Sequence, residues 1–250
     1  MGKRHEVIGI KQVIRLEWMQ QTVNLLLSGM DVKGIRQELH EFLSNRNGDG
    51  SEKERGETSR SQVVNILMNI WITPSVELIE FRNDLLLLVQ ESHGKHLPIH
   101  WSMITAAYPF WFNVAQQTGR LLALQSQVTQ AQIISRIKEL YGDRQTVSRY
   151  ARSVIRSFVT WGVLKDSGKK GCYEKNTLTN VEGFNLAILM YESALHSIPE
   201  AKGAMTLLSN SPSFFPFQLP VMTGDFISQH SNRIDVIRYG LDDELLELNN

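Results

Sequence analysis

Three arginines, Arg149, Arg152 and Arg156, stand three and four residues apart in the stretch TVSRYARSVIRSFVTWGVL, residues 146–164. At about 100° per residue they fall on one side of a helix, together with Gln145, and Val147, Ala151, Val154 and Phe158 fall on the other. A guanidinium is a planar fork of donors. It can take two acceptors of a phosphate, or the O6 and N7 of guanine, with two hydrogen bonds at once. No Asp or Glu lies between Arg144 and Trp161, so this helix brings no acidic partner of its own. Shortly after it, Lys165, Lys169 and Lys170 lie in and before a glycine-flanked turn, SGKKG. Cations grouped in this way bind a polyanion by releasing its counterions. Two other readings stand beside that one: a solvated polar face of an ordinary amphipathic helix, and a surface that docks onto protein.

The elements around the arginines narrow the choice. PFWFNVAQQTGRLLALQ reads as a helix opened by Pro109, and SQVT as a short strand. Thr129 can cap QAQIISRIKELY, whose Ile133, Ile134, Ile137, Leu140 and Tyr141 share a face. Gly142 ends it and GDRQ makes a tight turn. The arginine helix follows and stops at Gly162. GVLKD and CYEKN then read as two strands joined by the lysine turn. Helix, strand, helix, turn, helix, strand, turn, strand is the order of a winged helix-turn-helix, in which the outward side of the second helix enters the major groove. The arginines would face outward there. Arg144 would sit at the helix entry, and Lys169 and Lys170 would grip the adjacent backbone.

Charge distribution agrees with this placement. The chain of 250 residues has 26 Lys+Arg and 26 Asp+Glu. Residues 109–175 hold eleven Lys/Arg against four Asp/Glu, a net +7, which leaves −7 for the remainder. A neutral protein with one basic module results. The composition, 42% hydrophobic and 21% charged, is that of a soluble globular protein.

Upstream, residues 10–28 give a roughly helical apolar face, Asp31 caps a helix through Leu43, and SNRNGDGSEKERGETS reads as a mobile loop. Further helices are predicted from about Ser61 to Trp71 and from Thr73, with Pro74 in the first turn, until HGKHLP breaks the pattern. LPIHWSMITAAYPFWFNVA is apolar but holds His100, Asn113 and two prolines, so it reads as core rather than a membrane span. Downstream, VEGFNLAILMYESALHS reads as a helix, Ala201–Leu208 as a second, RIDVIRYG as a strand and LDDELLELNN as an acidic tail or terminal helix.

Other constellations carry little. NRNGDGSEKERG imitates a calcium loop at Asn45, Asn47, Asp49 and Gly50, but Gly56 stands where the bidentate Glu belongs. His93, His96 and His100 lie close in sequence, with Gly94 and Pro98 between them, and are expected to be a polar linker rather than a metal site. Cys172 is the single cysteine, with no His near it in sequence, so neither an intramolecular disulfide nor a CxxC zinc site can form. There is no P-loop, GxGxxG, GxSxG or HExxH. No catalytic residue, metal or cofactor is expected. The N-terminus lacks an apolar signal region and position 6 is Glu, which argues against myristoylation of Gly2; a cytoplasmic location is expected. SFFPFQLP places Phe214, Phe215 and Phe217 among prolines. They either cover a core or anchor a partner subunit.

YGDRQTVSRYARSVIRSFVTWGVLKD with GCYEK resembles winged-helix domains. Preceded by the helical stretches IRLEWMQQTVNLLLSGMDVKGIRQELHEFL and ETSRSQVVNILMNIW, it is similar to the small BrxA-like proteins of BREX phage-defence systems. The resemblance covers residues 10–175; the Pro/Phe segment and acidic tail after 178 depart from it. It implies a mostly helical, cytoplasmic, non-enzymatic protein that binds duplex DNA beside other subunits of a defence complex. Only Arg144, Arg149, Arg152, Arg156, Lys165, Lys169 and Lys170 carry over, as DNA contacts. The expectation is therefore a mainly α chain with a helical domain at 1–108, a winged helix-turn-helix at 109–177 and a C-terminal extension at 178–250. A regulator of transcription or an assembly subunit that docks protein is the alternative. Neither the oligomeric state nor a base sequence follows from the residues.

Overall fold

Helices carry most of the chain in a computed structural model that describes residues 3–92, 94, 96–239 and 243–249. His93, and Leu241 and Asp242 of the acidic run, lie outside the described residues, as do Met1 and Gly2. Five helices precede residue 108: α1 (Leu16–Leu27), α2 (Val32–Phe42), α3 (Glu57–Leu67), α4 (Ile79–Glu91) and α5 (Leu97–Ala107). Asp31 caps α2 by accepting from Gly34 N at 2.8 Å. α3 starts a turn earlier than its apolar pattern predicts and passes directly into a π-helical turn, Met68–Ile72. Thr73 and Pro74 precede the next helix rather than open it; a 3₁₀ turn, Val76–Leu78, leads into α4.

The loop after α2 is pinned rather than free. Arg55 is buried there, bonding Arg46 O at 3.0 Å and Ser59 Oγ at 3.1 Å, with its guanidinium 5.1 Å from the Trp18 ring. A buried charge needs such partners, and they fix the backbone around it.

From 109 the elements are α6 (Pro109–Leu124), β1 (Gln127–Thr129), α7 (Gln130–Tyr141), α8 (Gln145–Thr160), β2 (Leu164–Asp166) and β3 (Cys172–Lys175). The order matches the sequence pattern element by element. β1, β3 and β2 form one antiparallel sheet with β3 in the middle, Val128 opposite Tyr173 and Lys165 opposite Glu174. Thr129 and Gln132 close a capping box on α7. Gly142 (φ 83°) turns the chain between α7 and α8. Gly162 (φ 71°) ends α8, where Val163 N reaches back to Phe158 O at 3.0 Å.

The C-terminal part holds β4 (Thr179–Asn180), α9 (Phe184–Ser197), β5 (Lys202–Ala204), α10 (Met205–Ser209), β6 (Phe217–Gln218), α11 (Gly224–His230), β7 (Ile234–Tyr239) and β8 (Asp243–Leu248). β4 pairs in parallel with β6, and β8 lies antiparallel between β5 and β7. Two expectations are corrected here. Residues 243–248 of the acidic run form a strand, not a tail or helix: Leu246 and Leu248 alternate inward with Glu247 outward, a two-residue period. Residues 201–204 are extended before a helix that begins only at Met205.

Buried residues from all three stretches join one hydrophobic cluster. The boundaries at 108 and 177 thus mark changes of pattern, not separate cores. Trp101 on α5 sits at the junction, 5.4 Å from Trp111, 5.1 Å from Phe158, 6.0 Å from Phe215 and 5.4 Å from Phe217 by ring centroids. A second tie is ionic. Arg233 donates to both oxygens of the fully buried Glu192 on α9, at 2.6 and 3.0 Å, and to Asp84 on α4 at 2.7 Å.

Among the described residues no single helix is long and apolar enough to cross a membrane. One pair, Glu57–Ile72 with Val76–Glu91, meets that test only together and is bent by 60°.

Candidate nucleic-acid interface

The amphipathic pattern of α8 is realised in three dimensions. Val147, Ala151, Val154 and Phe158 are buried, with Phe158 perpendicular to Trp111 at 4.8 Å. Arg149, Arg152 and Arg156 are exposed on the other side. α7 packs against α8 through its own buried stripe, Ile133, Ile134 and Ile137. Burial of both stripes is what holds the arginines outward.

The seven candidate cations are not equivalent. Arg156 is paired: its Nη1 lies 3.3 Å from Oδ1 of Asp166 at the end of β2. This bond joins the helix face to the hairpin. Lys165 pairs across the sheet with Glu174 at 3.2 Å. Arg144 stands at the start of α8 and its Nη2 donates to Tyr141 O at the end of α7, at 3.1 Å, while the guanidinium of Arg149 lies 5.2 Å from the Tyr150 ring. Arg152, Lys169 and Lys170 are exposed and make no ion pair among the described residues. With no Asp or Glu in α8, Arg149 and Arg152 have no carboxylate partner among the described residues, but Arg156 found one on the neighbouring strand.

One residue beside this face had no signal in the local pattern. The segment 10–15 lies along the flank of α8, with Ile10 and Ile14 buried. Ile14 N donates to the buried Ser157 Oγ at 2.9 Å, Trp161 Nε1 donates to Ile14 O at 2.8 Å, and Ser153 Oγ donates to Lys11 O at 3.4 Å. Exposed Lys11 is thereby brought next to the arginine helix from 142 residues away in sequence. The sequence pattern reads residues 10–28 as one helical face; α1 starts only at Leu16, and residues 10–15 are a non-helical strap whose Ile10 and Ile14 are buried.

Phe214, Phe215 and Phe217 do not form an anchor. All three are buried, Phe215 and Phe217 against Trp101. Gly119 on α6 lets the Pro212–Phe214 turn approach so closely that a Cβ there would lie 1.9 Å from Pro212 O. The aromatic segment seals the protein's own core, the other of its two sequence readings.

His96 and His100 are not a polar linker either, and His93 lies outside the described residues. His100 is fully buried on α5, its Nε2 3.0 Å from Gln20 Oε1, which also meets His96 Nδ1. Burial, and then the neighbouring His96, push the His100 imidazole down to about 3. Among the described residues no group of three or more His, Cys, Asp or Glu is placed to hold a metal ion. Cys172 lies half-buried on β3.

No family model, curated protein or solved structure matches the chain. The face must be judged on its own geometry.

Proposed function

We propose that this is a non-catalytic protein that grips duplex DNA, with residues 109–177 acting as a winged helix-turn-helix. α7 and α8 would be the paired helices, and β2–β3 the wing. What carries the reading is the single exposed side of α8, holding Arg149, Arg152 and Arg156 beside a hairpin tip with Lys169 and Lys170. Arg152 and the two lysines, with no ion pair among the described residues, are the cations ready to meet phosphate. Arg149, off the ring of Tyr150, and Arg144, at the helix entry, add to the same field. Much of the contact would be sequence-tolerant backbone binding, because phosphate contacts position a protein without reading bases. A place beside other subunits of a bacterial phage-defence system of the BREX kind extends this proposal and rests on the sequence resemblance.

The test is duplex affinity against salt for the wild type and for Arg149/Arg152/Arg156→Ala. For phosphate contacts, log K falls with log salt by about 0.9 per contact, so the triple variant gives a shallower slope. Undetectable binding at low salt, or equal slopes, overturns the proposal.

A further inference from the structure

The strap of residues 10–15 brings the basic face a cation that residues 109–177 do not contain. It runs between two neighbours. On one side is α8, where Ile14 N donates to Ser157 Oγ, Trp161 Nε1 to Ile14 O and Ser153 Oγ to Lys11 O. On the other is the N-terminal helical part. Gln12 Nε2 donates to Gln62 Oε1 at 2.8 Å, and Arg55 Nη2 donates to Gln12 Oε1 at 3.4 Å. Val13 lies so close to Gly48 that a Cβ on the glycine would stand 2.7 Å from Val13 Cβ. The backbone that carries Lys11 is therefore fixed from both sides.

Ile10 and Ile14 are buried, and Lys11 between them is exposed. Lys11 makes no ion pair among the described residues. The strap borders the arginines along one edge of α8. At about 100° per residue, Ser153 and Ser157 stand about 40° and 80° round the helix from Arg149, and Arg152 about 60° from it the other way. Lys11 thus comes alongside the helix rather than onto its outermost line.

That position selects the chemistry it can meet. A helix with its side chains is about 10–12 Å across and fills a major groove about 12 Å wide. A cation beside such a helix faces the phosphate backbone that borders the groove, not the base edges on its floor. We propose that Lys11 is a phosphate-binding residue of the DNA interface, delivered to the flank of α8 by the strap. The proposal rests on the DNA reading above and extends that interface beyond residues 109–177 into the N-terminal part. A lysine on a free tail would lose backbone freedom on binding; here the strap is already ordered, and only side-chain freedom is lost.

The test titrates the full chain into two fluorescein-labelled duplexes of unrelated sequence, by anisotropy, at salt from about 50 to 200 mM. Wild type, Lys11→Ala, Lys11→Arg and Arg149/Arg152/Arg156→Ala are compared. Lys11→Ala is expected to make the slope of log K against log salt shallower by about 0.9, the effect of one contact, so its deficit against wild type narrows about 3.5-fold across that range. The change should be equal on the two duplexes, because backbone contacts carry no sequence information. Lys11→Arg keeps the charge and should restore the slope. Lys11 is exposed, and an unchanged thermal midpoint verifies that each variant folds. A wild-type slope in Lys11→Ala, with a shallower one in the arginine variant, overturns the proposal and leaves the DNA reading standing. Equal losses in Lys11→Ala and Lys11→Arg overturn it too, by assigning the effect to packing of the strap. A loss confined to one duplex overturns it by placing Lys11 on bases. Undetectable wild-type binding at low salt removes the DNA reading and this proposal with it.

Discussion

Side chains on the basic face differ in how much of their charge is available. Arg156 shares its guanidinium with Asp166, whereas Arg152 has no carboxylate partner among the described residues. Asp166 sits beside the proposed DNA path and holds Arg156 toward the hairpin. Asp166→Asn should therefore tighten duplex binding at low salt by about two- to fivefold, a range set by the ~1 kcal/mol or less that an exposed pair contributes. Titration of labelled duplex against both proteins measures it. Equal or weaker binding by the variant would mean that Arg156 does not reach the DNA. The distinction was invisible in sequence, where all three arginines share one helix face and one apparent freedom.

Elements are held by local signals and by one distant strap. The capping box at Thr129 and the glycine ends at Gly142 and Gly162 are local, and the sequence pattern placed α7 and α8 by them. The strap 10–15 is not local. It depends on Ser157, whose fully buried hydroxyl receives Ile14 N. Ser157→Ala removes that acceptor and leaves a buried N–H unpaired, at a cost of about 1–3 kcal/mol. Urea unfolding should show this loss, and limited proteolysis should cut ahead of Leu16 faster than in the wild type. A variant as stable and as resistant as the wild type would mean that the strap is held by Ile10 and Ile14 alone.

The whole molecule is joined by the Trp101 cluster and by Arg233. Burial by itself would push the Glu192 carboxyl up. His196, its Nε2 3.6 Å away, and the hydrogen bonds and charge of Arg233 override it and hold the carboxyl below its usual value of 4.5. A depressed folded-state pKa stabilises the protein above the unfolded pKa, and that contribution fades as pH falls through the lower folded value. Arg233→Met strands the buried Glu192, so it should lose about 3 kcal/mol at pH 7. Without Arg233 the buried carboxyl takes up its proton at higher pH than in the wild type, so the deficit should begin to shrink above pH 4.5 and go on shrinking below it, as wild-type Glu192 is protonated in turn. Chemical denaturation at a series of pH values tests this. A deficit that is constant with pH would assign the loss to packing rather than to charge.

By itself the sequence determined the periodic elements: the arginine helix with its buried stripe, the capped helix before it, the strand–turn–strand after it, and the surplus of cations between 109 and 175. These follow from helical and strand periods and from caps, which act within a few residues. Tertiary structure decided what depends on distant neighbours. It turned Phe214, Phe215 and Phe217 inward onto Trp101, drew 243–248 into a sheet, gave Arg156 an acidic partner, and laid Lys11 beside α8. Burial and charge pairing are sums over residues far apart in the chain, and no spacing rule contains them.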